Sequence, residues 1–270
     1  MRFKKLLEEK NQGKLFEKLH EELNSGKWIV RETKLYRGTD RPTKKMKVKD
    51  VRSRSGREPK DTDNIVDELI HLFYDKCFSE YPNRRESVFA STSAGSAEFY
   101  GKPHLAFPHK NAKISGRNAD PHNVFEALSS KIKRIKKIWL KNKERINKVI
   151  GEFPKKDADK IRDLFFLLSG YDLSLIQNES ITCPEKLVKY TDQLHKKYED
   201  FSPQSLPFKK FLGLLDGVVY SINRYFENLE LGYPKPDGFY GEIMIDGKYL
   251  QVEKNVFDEY YANFDHNLDW

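Results

Sequence analysis

The chain has 270 residues, with 49 lysines and arginines against 41 aspartates and glutamates, and so a formal charge of +8. Aromatic residues make up 13%, which excludes a disordered chain, and no run approaches the roughly 20 apolar residues of a membrane helix. The length suits one large domain or two small ones with a real core, and the basic balance points only weakly to an anionic partner.

Residues 3–24 carry Phe3, Leu6, Leu7, Leu15, Phe16, Leu19 and Leu23, mostly three or four apart. This predicts an amphipathic helix, broken near Gly13 and ending at Asn24-Ser25-Gly26. Its charge throughout leaves no apolar core for a signal peptide. WIVRETKLYRG (28–38) reads as one or two short strands, and Thr39 to Asp63 as a long polar loop. Asp61 or Thr62 can cap a helix over about 64–80, whose stripe is Ile65, Leu69, Leu72, Phe73 and Cys77. SVFAST (87–92) is a strand that runs into a small-residue turn, SAGSAEFYG (93–101), and 105–107 is a further strand. Helices are predicted over 123–150, 157–169, 184–199 and 208–230, with breaks at Pro154, Gly170, Pro184 and 202–207. Two β-rich runs then flank Asp246-Gly247, a strong hairpin signal. The two cysteines, Cys77 and Cys183, make neither a disulfide framework nor a four-ligand zinc site, and Cys77 falls on an apolar helix face. A soluble, cytoplasmic protein of a reducing interior is expected.

Three segments hold the candidate chemistry: Leu35-Tyr36-Arg37-Gly38, Val88-Phe89-Ala90-Ser91-Thr92-Ser93, and Tyr240-Gly241-Glu242-Ile243-Met244-Ile245. Each sits where a strand meets a loop. Singly they are common: a surface arginine, a helix cap, a solvated strand residue. As an ordered set of Arg, Ser-Thr-Ser and Glu they resemble the Arg-Ser-Glu branch of the ADP-ribosyltransferases, that of the clostridial Rho-modifying toxins and the T-even phage Alt and Mod enzymes. GREPKDT (56–62), the helix after it and RRESVFASTS also resemble phage-encoded proteins with this pattern. The resemblance covers about 35–110 and 238–255 and leaves out the helical middle.

The fold implied is α+β, an ADP-ribosyltransferase-like split β-sheet core with a large helical insertion or lobe. Residues 1–120 would supply the first part of the core, 121–232 the lobe, and 233–270 a C-terminal hairpin that completes the core. The activity implied is transfer of ADP-ribose from NAD, as substrate, to a protein or nucleic acid, in the host cytoplasm if the chain is phage-encoded and with no membrane partner. Glu242 would be the catalytic carboxylate, Ser91 would hydrogen-bond and orient it, and Arg37 would hold the NAD pyrophosphate with the Gly38 backbone open to the nicotinamide amide. Tyr36, Thr92 and Ser93 would shape the cleft, and Phe99 or Tyr100 would stack on the nicotinamide. Tyr240, two before Glu242, would face the acceptor, where an aromatic disfavours arginine and suits a base or ring.

Alternatives stay open beside this. Gln251-Val252-Glu253 is a second candidate for the catalytic element. NAD glycohydrolase would use the same site with water as acceptor. A non-catalytic, basic nucleic-acid-binding protein would ignore NAD. That last reading rests on KIKRIKKIWLKNKERINK (131–148), where Lys133, Arg134, Lys136, Lys137 and Lys141 surround an apolar stripe of Ile132, Ile135, Trp139 and Ile146. His104, His109 and His122 with Asp120 match no zinc spacing, so no metal is assigned.

Overall fold

The computed structural model describes residues 2–31, 33–40, 45–51, 64–118, 121–177, 183–198 and 206–264. The chain folds as two compact units. The first takes residues 1–57, 81–119 and 230–270, and the second takes 58–80 and 120–229. The architecture is α+β with two antiparallel sheets. The expected domain limits shift in one respect: the helix after the first polar loop joins the helical unit, not the sheets. No described helix is long and apolar enough to cross a membrane.

In the first unit, α1 (Arg2–Asn24) runs unbroken through Gly13, because one glycine costs a helix only about 1 kcal/mol. Phe16, Leu19 and Leu23 bury one face of α1. They meet Leu105, Phe107, Leu250 and Val252 from one sheet and Phe257 and Tyr260 of α8 (Lys254–Phe264). That sheet has the order β1 (Tyr36–Thr39), β4 (Lys102–Pro108), β8 (Lys248–Glu253), β2 (Met46–Asp50). β2 lies inside the stretch read as a loop. Its MKVKD sequence has little apolar signal, and pairing with β8 creates it. The Asp61 and Thr62 caps and the GREPKDT segment lie outside the described residues.

The second sheet has the order β3 (Val88–Ala90), β7 (Glu242–Asp246), β5 (Lys113–Arg117), β6 (Leu229–Leu231). Here the hairpin expectation is overturned. β7 pairs with β3 and β5, and β8 pairs with β4 and β2, so the runs on either side of Asp246-Gly247 lie in different sheets. Both runs are buried nearly end to end, so each takes a central place with partners on both edges. A single residue, Gly247 at φ 124, makes the passage, where a hairpin needs two central turn residues. Ile243, Ile245, Val88, Ala90 and Ile114 of this sheet form a core with Ala106 and Tyr249 of the other and Leu35 just before β1.

The second unit is helical: α2 (Asn64–Cys77), α4 (Pro121–Gly151), α5 (Lys155–Leu168), α6 (Pro184–Tyr198) and α7 (Leu206–Glu227). The short α3 (Ala94–Glu98) belongs to the sheet unit and replaces the expected turn. In α2 the buried face is Val66, Leu69, Ile70, Phe73 and Tyr74, so the stripe is rotated from the one expected and Cys77 is only half-buried. Cys77 is not a free core thiol. It forms a disulfide with Cys183, 106 residues away, just before α6. That distance in sequence hides the pairing, and the bond sits poorly with a reducing interior.

Candidate functional site

The three segments singled out in the sequence meet at the junction of the two sheets, all within the first unit. Tyr36 and Ser91 form an antiparallel bridge, with Tyr36 N–H donating to the Ser91 carbonyl at 2.7 Å and Ser91 N–H to that of Tyr36 at 2.8 Å. The Ser91 hydroxyl then donates to the Tyr240 carbonyl at 3.2 Å. Thr92 N–H donates to the same carbonyl, and Tyr240 N–H returns a bond to the Thr92 hydroxyl at 3.0 Å. These bonds therefore hold the Arg37, Ser91 and Glu242 segments in one place, although Arg37 and Glu242 are 205 residues apart in sequence.

The side chains are used differently from the expectation. Ser91 bonds the backbone two residues before Glu242 and accepts from Ser93 N–H at 3.1 Å, so it places the strand rather than the carboxylate directly. Ser93 is the N-cap of α3, accepting from Ser96 N–H. Tyr240 does not face an acceptor. Its ring is 1% exposed and wedged between Gly116 and Gly238, and its hydroxyl donates to Glu230 at 2.7 Å. Burial and that carboxylate raise its pKa. Phe99 and Tyr100 are exposed.

Gly38 is not open to a ligand on its Cβ side, because a methyl group there would lie 2.0 Å from the Ala97 carbonyl oxygen and 2.8 Å from Tyr100. The last turn of α3 and Tyr100 just after it occupy that space. Gly38→Ala should therefore cost about 2–3 kcal/mol, since backbone rather than a flexible side chain must move. A urea midpoint equal to that of the wild type would refute this packing.

Arg37 and Glu242 point to different sides of the junction. Arg37 lines a narrow crevice with Lys49, Asp50, Val51, Arg85, Ser87, Val88 and Tyr249, on the side of the core the sheets share. Ile243 and Ile245 of β7 face that core, so alternation turns Glu242 the other way. Glu242 is 6% exposed, with the Arg84 guanidinium 3.8 Å away and Arg117, itself 1% exposed, directly opposite on β5. Sequence reasoning missed both arginines. Arg84 carries no strand signal, and Arg117 ends KISGR, a strand whose alternation of Ile114 and Gly116 with Ser115 and Arg117 was visible but short. Arg84 also lies over the Phe89 ring at 4.7 Å, which fixes it beside Glu242.

The rival pair lies on β8. Glu253 pairs with Lys102 and, by register, shares a row with His104 and Arg37, while the buried Gln251 amide has no hydrogen-bond partner among the described residues. His104 is 1% exposed and meets the Lys102 carbonyl at 2.8 Å; desolvation lowers its pKa despite that bond. Folded His104 thus stays neutral where an unfolded histidine, with a pKa of about 6.5, takes a proton. Stability contributed by this neutral imidazole is present above that pH and declines as pH falls through it toward the folded value. Urea midpoints at pH 7.5 and 5.5 should drop more for the wild type than for His104→Gln; equal drops would exclude His104 as the cause.

Asp120 and the side chain of His122 lie outside the described residues, and His104 and His109 are engaged by local backbone groups. On α4 the basic residues Lys133, Arg134, Lys137 and Lys141 are exposed, and Lys136 packs over the Tyr171 ring at 5.1 Å. Compared with family models, curated proteins and solved structures, the chain has no match.

Proposed function

We propose that this chain transfers ADP-ribose from NAD to a macromolecule, with Glu242 as the catalytic carboxylate. The observation that carries the reading is the convergence of the three segments through the Tyr36–Ser91 bridge and the Ser91–Tyr240 and Thr92–Tyr240 bonds. It sets a buried glutamate at the start of a central strand, fastened to the Ser-Thr-Ser turn. In the reaction the bond from ribose C1′ to the nicotinamide nitrogen breaks, and its electron pair leaves with nicotinamide, which becomes neutral. The acceptor's nucleophile bonds to C1′ and loses its proton. Positive charge on the ribose peaks between these events, and a fixed carboxylate beside it favours that state over the ground state. Arg84 holds the Glu242 carboxylate, and Arg37, Lys49 and Arg85 line the neighbouring crevice together with Asp50.

The test is nicotinamide release from NAD by the purified chain, with and without host lysate, beside Glu242→Gln. Release that needs lysate and leaves labelled macromolecules supports transfer, and release without lysate supports the glycohydrolase. The opposite facing of Arg37 and Glu242 favours a second reading, in which the site is inactive and the chain is a binding protein. Failure both to release nicotinamide and to bind NAD would establish that reading against the first.

A further inference from the structure

Nine basic residues lie on α4 against two glutamates, so this helix holds +7 of the chain's net charge of +8. Two of the nine turn inward or aside. Lys131 donates to the Gly217 carbonyl at 2.9 Å and the Ser221 hydroxyl at 2.8 Å on α7, and desolvation lowers its pKa. Lys136 lies over the Tyr171 ring. Arg134, Lys137 and Lys141 remain exposed at spacings of three and four, which puts them on one ridge roughly 10 Å long. The helix changes direction at Asn142 (φ −131, ψ 21), and the exposed Arg145 and Lys148 continue the run beyond it.

We infer that this ridge of α4 docks on the phosphate backbone of a nucleic acid. Three observations select that occupant. First, no acidic residue interrupts the ridge from Arg134 to Lys141, and a duplex offers a regular line of charge, one per roughly 1.7 Å of axis. Second, the apolar face of the helix is already buried: Ile132, Ile135, Trp139, Ile146 and Ile150 are at most 5% exposed. A helix that lies in a lipid surface needs that face for the membrane. Third, among the described residues of α4 the exposed side carries a single large apolar residue, Leu140, and the half-exposed Tyr171 ring beside the helix lies under Lys136 rather than forming an apolar centre with it. Cations without an apolar centre read backbone charge, not base sequence. The inference does not depend on the proposed transferase reaction, since the surface lies wholly within the helical unit.

The experiment uses the full chain, without NAD, and fluorescent 20-base-pair duplexes of DNA and RNA across 50–300 mM NaCl. Affinity should fall with salt in a log–log slope of about −3 to −5, as three to five phosphate contacts require. A triple variant, Arg134→Glu, Lys137→Glu and Lys141→Glu, should bind about tenfold or more weakly and lose about three from that slope. Gln at the same positions repeats the test if the reversed charges disturb the fold. A control of equal charge change on α6, Lys186→Glu, Lys189→Glu and Lys196→Glu, separates the ridge from net charge. Equal weakening by both triples would overturn the inference. So would absence of duplex binding, or binding only to poly-glutamate or to vesicles containing phosphatidylserine.

Discussion

Glu242→Gln is expected to lower nicotinamide release about a thousandfold. Two unit charges about 4 Å apart attract by roughly 4 kcal/mol at an effective dielectric near 20, and each 1.4 kcal/mol is about a factor of ten. The dielectric suits this carboxylate, which is 6% exposed. Glutamine keeps the shape and removes the charge that would face the ribose cation. It also takes away the charge that Arg84 faces at 3.8 Å, so some stability is lost with activity. Glu242→Asp separates the two effects: it keeps a charge for Arg84 but draws the carboxylate back by one methylene. In the proposed mechanism Asp restores the thermal midpoint and leaves turnover well below wild type, because position matters as much as charge. Undiminished release by the glutamine variant would remove Glu242 from the reaction and turn attention to Glu253.

The second large effect concerns the helical unit. Cys77→Ala should lower its stability by about 2–5 kcal/mol under oxidising conditions, since a bond closing a loop of 106 residues restricts the unfolded chain strongly. Both cysteines belong to that unit, so the loss falls on α2 and α6 rather than on the sheets. Urea unfolding followed by helical circular dichroism should show the wild type falling to the level of the variant when a reductant is added. Identical curves for the two proteins without reductant would show that the thiols are unpaired in solution. In a cell, the same dependence would tie the stability of the helical unit to redox poise.

Much of the secondary structure was legible because it is local. The stripe of Ile132, Ile135, Trp139 and Ile146 identified α4 and its buried face, and the break at Gly170 coincides with a glycine at φ 72 that ends α5. The rotated face of α2 shows the limit of this reasoning: with Ile65, Val66, Leu69, Ile70, Leu72 and Phe73 all apolar, periodicity alone leaves more than one stripe. β2 and β5 were passed over because strand character in MKVKD and KISGR depends on partners far away in the chain.

The candidate site divides along the same line. The sequence alone was enough to pick out three short segments, since residue type and order are local properties, and the structure brings their backbones together. Which way their side chains face was decided only in three dimensions. Tyr240 became a buried wedge because Gly116 and Gly238 leave room for its ring, and Gly38 closed because α3 backs onto it. Arg37 and Glu242 were turned apart by the pleat, in which each residue along a strand reverses the side chain's direction. The passage at Gly247 also sends two runs that read as one hairpin into separate sheets. Local pattern determined what each segment is. Long-range pairing, which no stretch of sequence contains by itself, decided what each side chain faces.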